Sequence, residues 1–270
     1  MTIRALKNVT RTASAVSVMA VVLAGCATGG DKAELEGGAQ VVEEGKLTVC
    51  THLPYEPFEF KEGGKVVGFD VDLMNLVAED LGLEVKVFNT PFEGIETGQS
   101  MNVGDCDVAA AGMTITDSRA EVMDFSDGYF EATQALLVKK GSGIESLDDL
   151  QGKTLGVQVS TTGRLYAEEN APEGVEIKIF EDLAVLTTAV KSGSIPAAVN
   201  DNSVLYDYVA DNPELAVATE FDTGESYGFA VAKDNNDALL ETINEVLATA
   251  KQDGTYDKLY AKYFPEAKTS

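Results

Sequence analysis

Within the stretch Cys106–Asp127, CDVAAAGMTITDSRAEVMDFSD, the residues whose types and spacing could do chemistry are Thr114, Thr116 and Arg119. A short apolar run, Asp107 to Ala111, suits a buried strand. It breaks at Gly112 and passes through Met113-Thr114-Ile115-Thr116 into Asp117-Ser118-Arg119, where Thr116 stands as the N-cap of a helix. Arg119 then falls in the first helical turn, where a cation opposes the helix dipole unless an anion lies beside it. Exposed helix N–H groups, threonine hydroxyls and a guanidinium together make a compact site for a carboxylate or phosphate. An ion pair from Arg119 to Glu121 or Asp124 would meet the same electrostatic need, and these residues alone leave both readings open.

Other chemistries find little support. The Gly-Lys-Thr at Gly152–Thr154 has Leu147 where a phosphate-binding loop needs its first glycine, and it leads into a strand, not a helix. His52 is the only histidine, so a His-rich zinc site is excluded and a Ser-His-Asp triad would hang on one turn residue. No metal or cofactor is expected. Acidic residues number 45 against 20 basic ones, which makes paired carboxylates uninformative and nucleic acid an improbable partner for want of a basic face. Recognition chemistry is what remains. Tyr55, Phe58 and Phe92 are aromatics in loops after strands, where an open α/β sheet places a ligand crevice, although each suits a core equally well.

The N-terminus carries a different signal. Arg4, Lys7 and Arg11 precede a short apolar core, Ala13 to Leu23, too short to anchor a chain across a bilayer. It ends in Leu23-Ala24-Gly25-Cys26, which resembles the lipobox of bacterial lipoproteins, whose cysteine is acylated and becomes the new N-terminus. Residues 1–26 are therefore expected to be a lipoprotein signal with Cys26 lipidated, and residues 27–44, rich in Gly, Ala and Glu, a flexible tether. That leaves Cys50 and Cys106, each at a strand edge, in a compartment where disulfides persist, and they are expected to pair. The loop closed would hold about 55 residues and contribute roughly 4 kcal/mol on the chain-entropy model.

These residues need elements to position them. Leu47–Thr51 reads as a strand, Phe60–Val67 as a small hairpin, and Phe69, Leu73, Leu76, Val77 and Leu81 as one face of a helix closed by Gly82. A strand at Glu84–Phe88 and a helix over Phe92–Met101 follow, and after the opening stretch an extended run at Gln134–Val138. A polar, Gly-rich connection leads into a second alternating series, with strands at Thr154–Val157, Val175–Ile179, Ala197–Val199 and Ala216–Thr219. Its helices are read at Thr162–Asn170, Leu183–Lys191 and Ser203–Asp211, and the chain closes in two more, Asn236–Lys251 and Tyr256–Tyr263. Strands alternating with helices indicate parallel α/β sheets, here arranged as two lobes.

Four motifs carry a resemblance: Tyr55-Glu56-Pro57-Phe58-Glu59-Phe60, Gly68-Phe69-Asp70-Val71-Asp72-Leu73, Ala111 through Arg119, and Asp124-Phe125-Ser126-Asp127. With Asp253-Gly254-Thr255-Tyr256 and Lys262-Tyr263-Phe264 near the end, residues 46–265 resemble the extracytoplasmic solute-binding proteins of polar amino-acid ABC transporters, solute-binding family 3. The resemblance implies the type 2 periplasmic binding protein fold: two Rossmann-like lobes joined by two extended crossovers, near Glu131–Gln134 and Glu225–Gly228, with the ligand in the cleft between them. Lobe one would be residues 45–131 and 228–270, and lobe two residues 135–225.

Carried over by motif, Arg119 should grip a ligand α-carboxylate, helped by Thr114 and, from the second lobe, by Thr162. The Ala111 and Gly112 carbonyls and Asp201 should receive the α-ammonium, while Tyr55 and Phe92 flank the side chain. His52 stands where relatives that bind basic amino acids often carry an acidic residue, and Gln158 and Asn200 stand where side-chain contacts are expected. Together these favour glutamine or another polar amino acid. The implied protein is a monomeric, lipid-anchored, extracytoplasmic binding protein that hands its ligand to the permease subunits of an ABC transporter. A cyclohexadienyl dehydratase on the same fold is the enzymatic alternative, and a receptor's ligand-sensing domain is a third.

Overall fold

The structure, a computed structural model, describes residues 32–265. The signal segment, Cys26 and the start of the tether lie outside the described residues. Two five-stranded sheets organise the rest. The first orders its strands Glu84–Asn89, Lys46–Thr51, Val108–Ala109, Ala230–Ala232 and Met123–Phe125; the second runs Glu176–Phe180, Thr154–Gln158, Ala197–Asp201, Phe130–Lys139 and Leu215–Tyr227.

The centre of the first sheet follows from its sequence. Leu47 to Thr51 are all buried, as a strand flanked on both sides must be, and the strand pairs in parallel with Glu84–Asn89 on one side and Val108–Ala109 on the other. The helix Phe69–Asp80 lays Phe69, Leu73, Met74 and Val77 against this sheet. Its end is a Schellman closure: Gly82 takes φ 67°, its N–H donates to Glu79 O, and the Leu83 N–H donates to Ala78 O. Its start is capped by backbone, with the Phe69 and Asp70 N–H groups donating to the Pro57 and Phe58 carbonyls. Gly68 makes that approach possible, since a Cβ there would lie 1.9 Å from Phe58 O. The Tyr55–Phe60 segment is thereby fixed to the head of the helix.

Two long antiparallel strands link the sheets. Phe130–Lys139 and Leu215–Tyr227 pair from Leu215 opposite Lys139 to Tyr227 opposite Phe130, with register shifts after Val217 and after Phe221. At the Phe130–Tyr227 end, Phe58, Phe130, Tyr227 and Phe264 pack ring to ring, with centroids 4.8–5.5 Å apart in the closest pairs. Cys50 and Cys106 are joined by a disulfide, with Cα atoms 5.6 Å apart.

Several expectations are revised. The stretch 92–101 is two short helices, Phe92–Glu96 and Gln99–Asn102, because Gly98 between them adopts a left-handed φ of 71°. The strand expected at Ala216–Thr219 runs on to Tyr227 because it has a full-length partner in Phe130–Lys139. Part of the expected flexible tether is folded. Ala33–Glu34 pairs with Gln40–Val41, Ala39 and Val41 are buried, and the segment is pinned from afar. The side chain of Asn236 exchanges two hydrogen bonds with the backbone of Gln40, and Asp107 Oδ1 accepts the Val42 N–H at 2.6 Å.

Candidate functional site

One cavity is lined by His52, Tyr55, Glu59, Phe92, Ala111, Gly112, Thr114, Arg119, Gln158, Thr161, Thr162 and Asp201. Of the site residues carried over from the motifs, all but Asn200 are among them, while Phe58 is buried in the core. His52 through Arg119 come from the segments around the first sheet, and Gln158 through Asp201 from those around the second.

Arg119 sits on a single helical turn, Asp117–Ala120, whose N-cap is Thr116; the Thr116 hydroxyl accepts the Arg119 N–H at 3.2 Å. Its side chain is buried, at 5 % exposure. Nη1 donates to Thr114 O at 2.7 Å and Nη2 to Ser160 O at 3.0 Å, the second bond reaching the other lobe. The guanidinium lies 5.4 Å from the Phe92 ring centre, a cation–π distance. Its nearest carboxylate, Glu96, stands 3.8 Å away. Neither Glu121 nor Asp124 is its partner, and Asp124 pairs instead with Lys233. Burial draws the Arg119 pKa down, while Glu96, Asp201 and Glu225 hold it up, and a guanidinium stays charged under such a balance.

The opposite charge comes from the end of a second-sheet strand. Asp201, 5 % exposed, accepts hydrogen bonds from Tyr55 at 2.6 Å, from Gln134 at 2.5 Å and from the Tyr227 hydroxyl. Burial and the neighbouring Glu225 raise its pKa to about 6, against the pull of these donors. Gly112 has φ 51°, and a Cβ there would fall 2.8 Å from the Tyr55 ring, so glycine is what lets that ring close over the backbone. The Gly112 N–H is held by Asp70, which also takes the Tyr129 hydroxyl at 2.6 Å.

Some groups lie where the sequence placed them but are differently engaged. The Thr114 and Thr162 hydroxyls both donate to Glu225 Oε2, at 2.7 and 2.8 Å. Asn200 does not line the cavity, because its oxygen takes the Asp201 N–H and the Tyr55 hydroxyl and its amide nitrogen faces Gln158. Four residues at the site went unread. Glu59 was visible inside the motif beginning at Tyr55. Thr161 caps the helix Thr162–Asn170, accepting the Arg164 N–H, a role its place before that helix suggests. Glu225 and Gln134 meet beneath the cavity, Gln134 Nε2 donating to Glu225 Oε1 at 3.0 Å, and sequence spacing carries no sign of it. Glu59 is fully buried, and burial together with Asp70 pushes its carboxyl pKa well above the usual range. Among the described residues no group of three or more His, Cys, Asp or Glu side chains is placed to hold a metal.

A two-lobed α/β chain with an arginine and an aspartate of opposite lobes facing one cavity is the architecture of a solute-binding protein, and residues 47–266 match the family model described as bacterial extracellular solute-binding proteins, family 3. The chain belongs to this family. It is 34% identical over 264 residues to a probable histidine-binding protein of Neisseria gonorrhoeae, covering 93% of this chain and 94% of that one. It is 36% identical over 263 residues to the ABC transporter glutamine-binding protein GlnH of Bacillus subtilis, covering 93% and 95%. Among solved structures, an ancestral arginine-binding protein, bound to arginine in one crystal and glutamine in another, matches with a TM-score of 0.77 and 44% identity over 82% of this chain and 99% of that one.

Proposed function

We propose that this protein captures a single polar amino acid outside the cytoplasm and delivers it, unchanged, to the permease of an ABC transporter. One observation carries the reading: Arg119 and Asp201, buried and of opposite sign, come from different lobes to line one cavity. A zwitterion supplies the complement of each, with its carboxylate on Arg119 and its ammonium on Asp201 and the Ala111 and Gly112 carbonyls. Tyr55 and Phe92 cover the side chain between them. The ligand's carboxylate would take over the guanidinium N–H groups now given to Thr114 O and Ser160 O. Because the two charges sit on different lobes, the closed form binds the zwitterion better than the open one does, and binding shifts the population towards closure.

The relatives named above, which bind histidine, glutamine and arginine by their descriptions, support the ligand class. A lipid on Cys26 would keep the monomer at the membrane beside its permease. Turnover is not part of the reading, since binding and release are all the site is asked to perform.

The test is calorimetry on ligand-free protein with each of the twenty common amino acids, followed by recovery of the bound compound. One-to-one binding of one or a few of them, recovered intact, is expected. No binding by any amino acid, or recovery of a converted product, would overturn the proposal.

A further inference from the structure

The polar atoms at the side-chain end of the cavity have a fixed hydrogen-bonding sense. His52 Nδ1 lies 3.0 Å from the carbonyl oxygen of Thr90, which can only accept, so the ring proton resides on Nδ1. In the neutral imidazole Nε2 is then an acceptor, and it is buried with no partner. Across the cavity the chain of amides is oriented by backbone. The Asp201 N–H donates to Asn200 Oδ1 at 2.9 Å, which identifies that atom as the oxygen. Asn200 Nδ2 must therefore donate to Gln158 Oε1, 3.3 Å away. The Gln158 carbonyl is thus occupied, and its amide N–H groups are what it has to offer the cavity it lines.

We infer that the captured amino acid ends its side chain in a carboxamide, whose N–H donates to His52 Nε2 and whose C=O accepts from Gln158 Nε2. The inference rests on the amino-acid reading above and specifies the chemical class of the side chain. A carboxylate only accepts, and would find a donor on His52 Nε2 only in the imidazolium. A guanidinium or ammonium only donates, and would face the N–H groups of Gln158. An apolar chain would leave both buried groups unpaired, which is the costly outcome for a polar group out of water. Glu59 agrees with this choice. Burial and Asp70 push its carboxyl towards the protonated form, which offers one donor and one acceptor and weakens any pull on a cationic side chain.

The test is a ligand panel at pH 7.5, titrated calorimetrically into the purified, ligand-free protein: glutamine, asparagine, glutamate, arginine, histidine and the apolar isostere norleucine. A carboxamide should bind at least ~100-fold more tightly than the others, as expected where a site built for hydrogen bonds meets an analogue that cannot make them. His52→Phe removes the acceptor, and should weaken the carboxamide at least ~10-fold while leaving norleucine no weaker than before. Glutamate, arginine, histidine or norleucine binding within tenfold of the best carboxamide overturns this inference and leaves amino-acid capture standing. Failure of all twenty common amino acids to bind overturns both.

Discussion

The Thr114 and Thr162 hydroxyls, one from each lobe, lie 3.5 Å apart. Both donate to the same oxygen of Glu225, a residue on the long strand that links the two sheets. Each lobe thus has a hydroxyl on a carboxylate that belongs to the connection, and the pair can be satisfied together only when the lobes are closed.

Removing that shared acceptor should loosen closure. Glu225→Ala is expected to weaken ligand binding by about tenfold to 100-fold, the worth of one or two hydrogen bonds to a charged group. Small-angle scattering should then find the compaction on ligand addition reduced. Affinity and compaction equal to the parent protein would show that the hydroxyls close the cleft without Glu225.

Arg119→Ala should reduce affinity by at least ~100-fold, roughly 3 kcal/mol, through loss of the charge-assisted carboxylate contact. Its effect on the ligand-free fold should be of a different kind. The guanidinium is buried with its nearest carboxylate 3.8 Å away, so its removal relieves a desolvated charge. The ligand-free melting temperature is expected to stay level or rise. A variant that melts lower and still binds ligand would mark Arg119 as a structural residue.

Acidity should act in opposite directions on stability and on binding. Burial raises the Asp70 pKa to about 7 and those of Asp107 and Asp201 to about 6, all from 3.8. A carboxyl whose pKa is higher in the fold than in the unfolded chain holds its proton more tightly when folded, so protonation favours folding. Ligand-free stability should therefore climb as pH falls from about 7 towards about 4, visible as a higher melting temperature at pH 5 than at pH 8. Asp70→Asn should flatten the upper part of that rise. Binding needs Asp201 ionised to hold an ammonium, so affinity should fall as pH drops below about 6, approaching tenfold per unit. A melting temperature that falls from pH 8 to pH 5, or an affinity unchanged between pH 7 and pH 5, would contradict the respective half of this account.

The Cys50–Cys106 disulfide closes a loop with a sequence separation of 56. On the chain-entropy model its loss should cost about 4 kcal/mol. Denaturant unfolding of a Cys50→Ala/Cys106→Ala variant beside the oxidised parent measures this directly, and coincident midpoints would refute it.

What could be read beforehand was what repeats or matches. The helix at Phe69–Asp80 announced itself through apolar spacing and its closing Gly82, and the strand–helix alternation pointed to two α/β lobes. Of the cavity-lining residues, Tyr55, Glu59 and those from Ala111 to Arg119 lay within matched motifs, while His52, Phe92, Gln158, Thr161, Thr162 and Asp201 lay outside them. Glu225 was illegible for a physical reason: it reaches Gln134 through a register shift between Phe221 and Glu225, a tertiary adjustment that spacing along the chain does not encode. Residues 33–42 read as linker because the stretch they belong to is rich in Gly, Ala and Glu. What orders them is Asn236 and Asp107, both far away in sequence. The break at Gly98 was open to reading, since glycine is the residue that takes a left-handed φ without strain.

Tyr55 and Tyr227 both donate their phenolic hydroxyls to one oxygen of Asp201. The chain has nine tyrosines and no tryptophan, so its ultraviolet emission comes from tyrosine alone. A phenol bonded to a carboxylate emits weakly, and an ammonium arriving at Asp201 would compete for that carboxylate. Occupancy of the cleft should then register as a change in tyrosine fluorescence, with the protein as its own optical gauge and no dye attached.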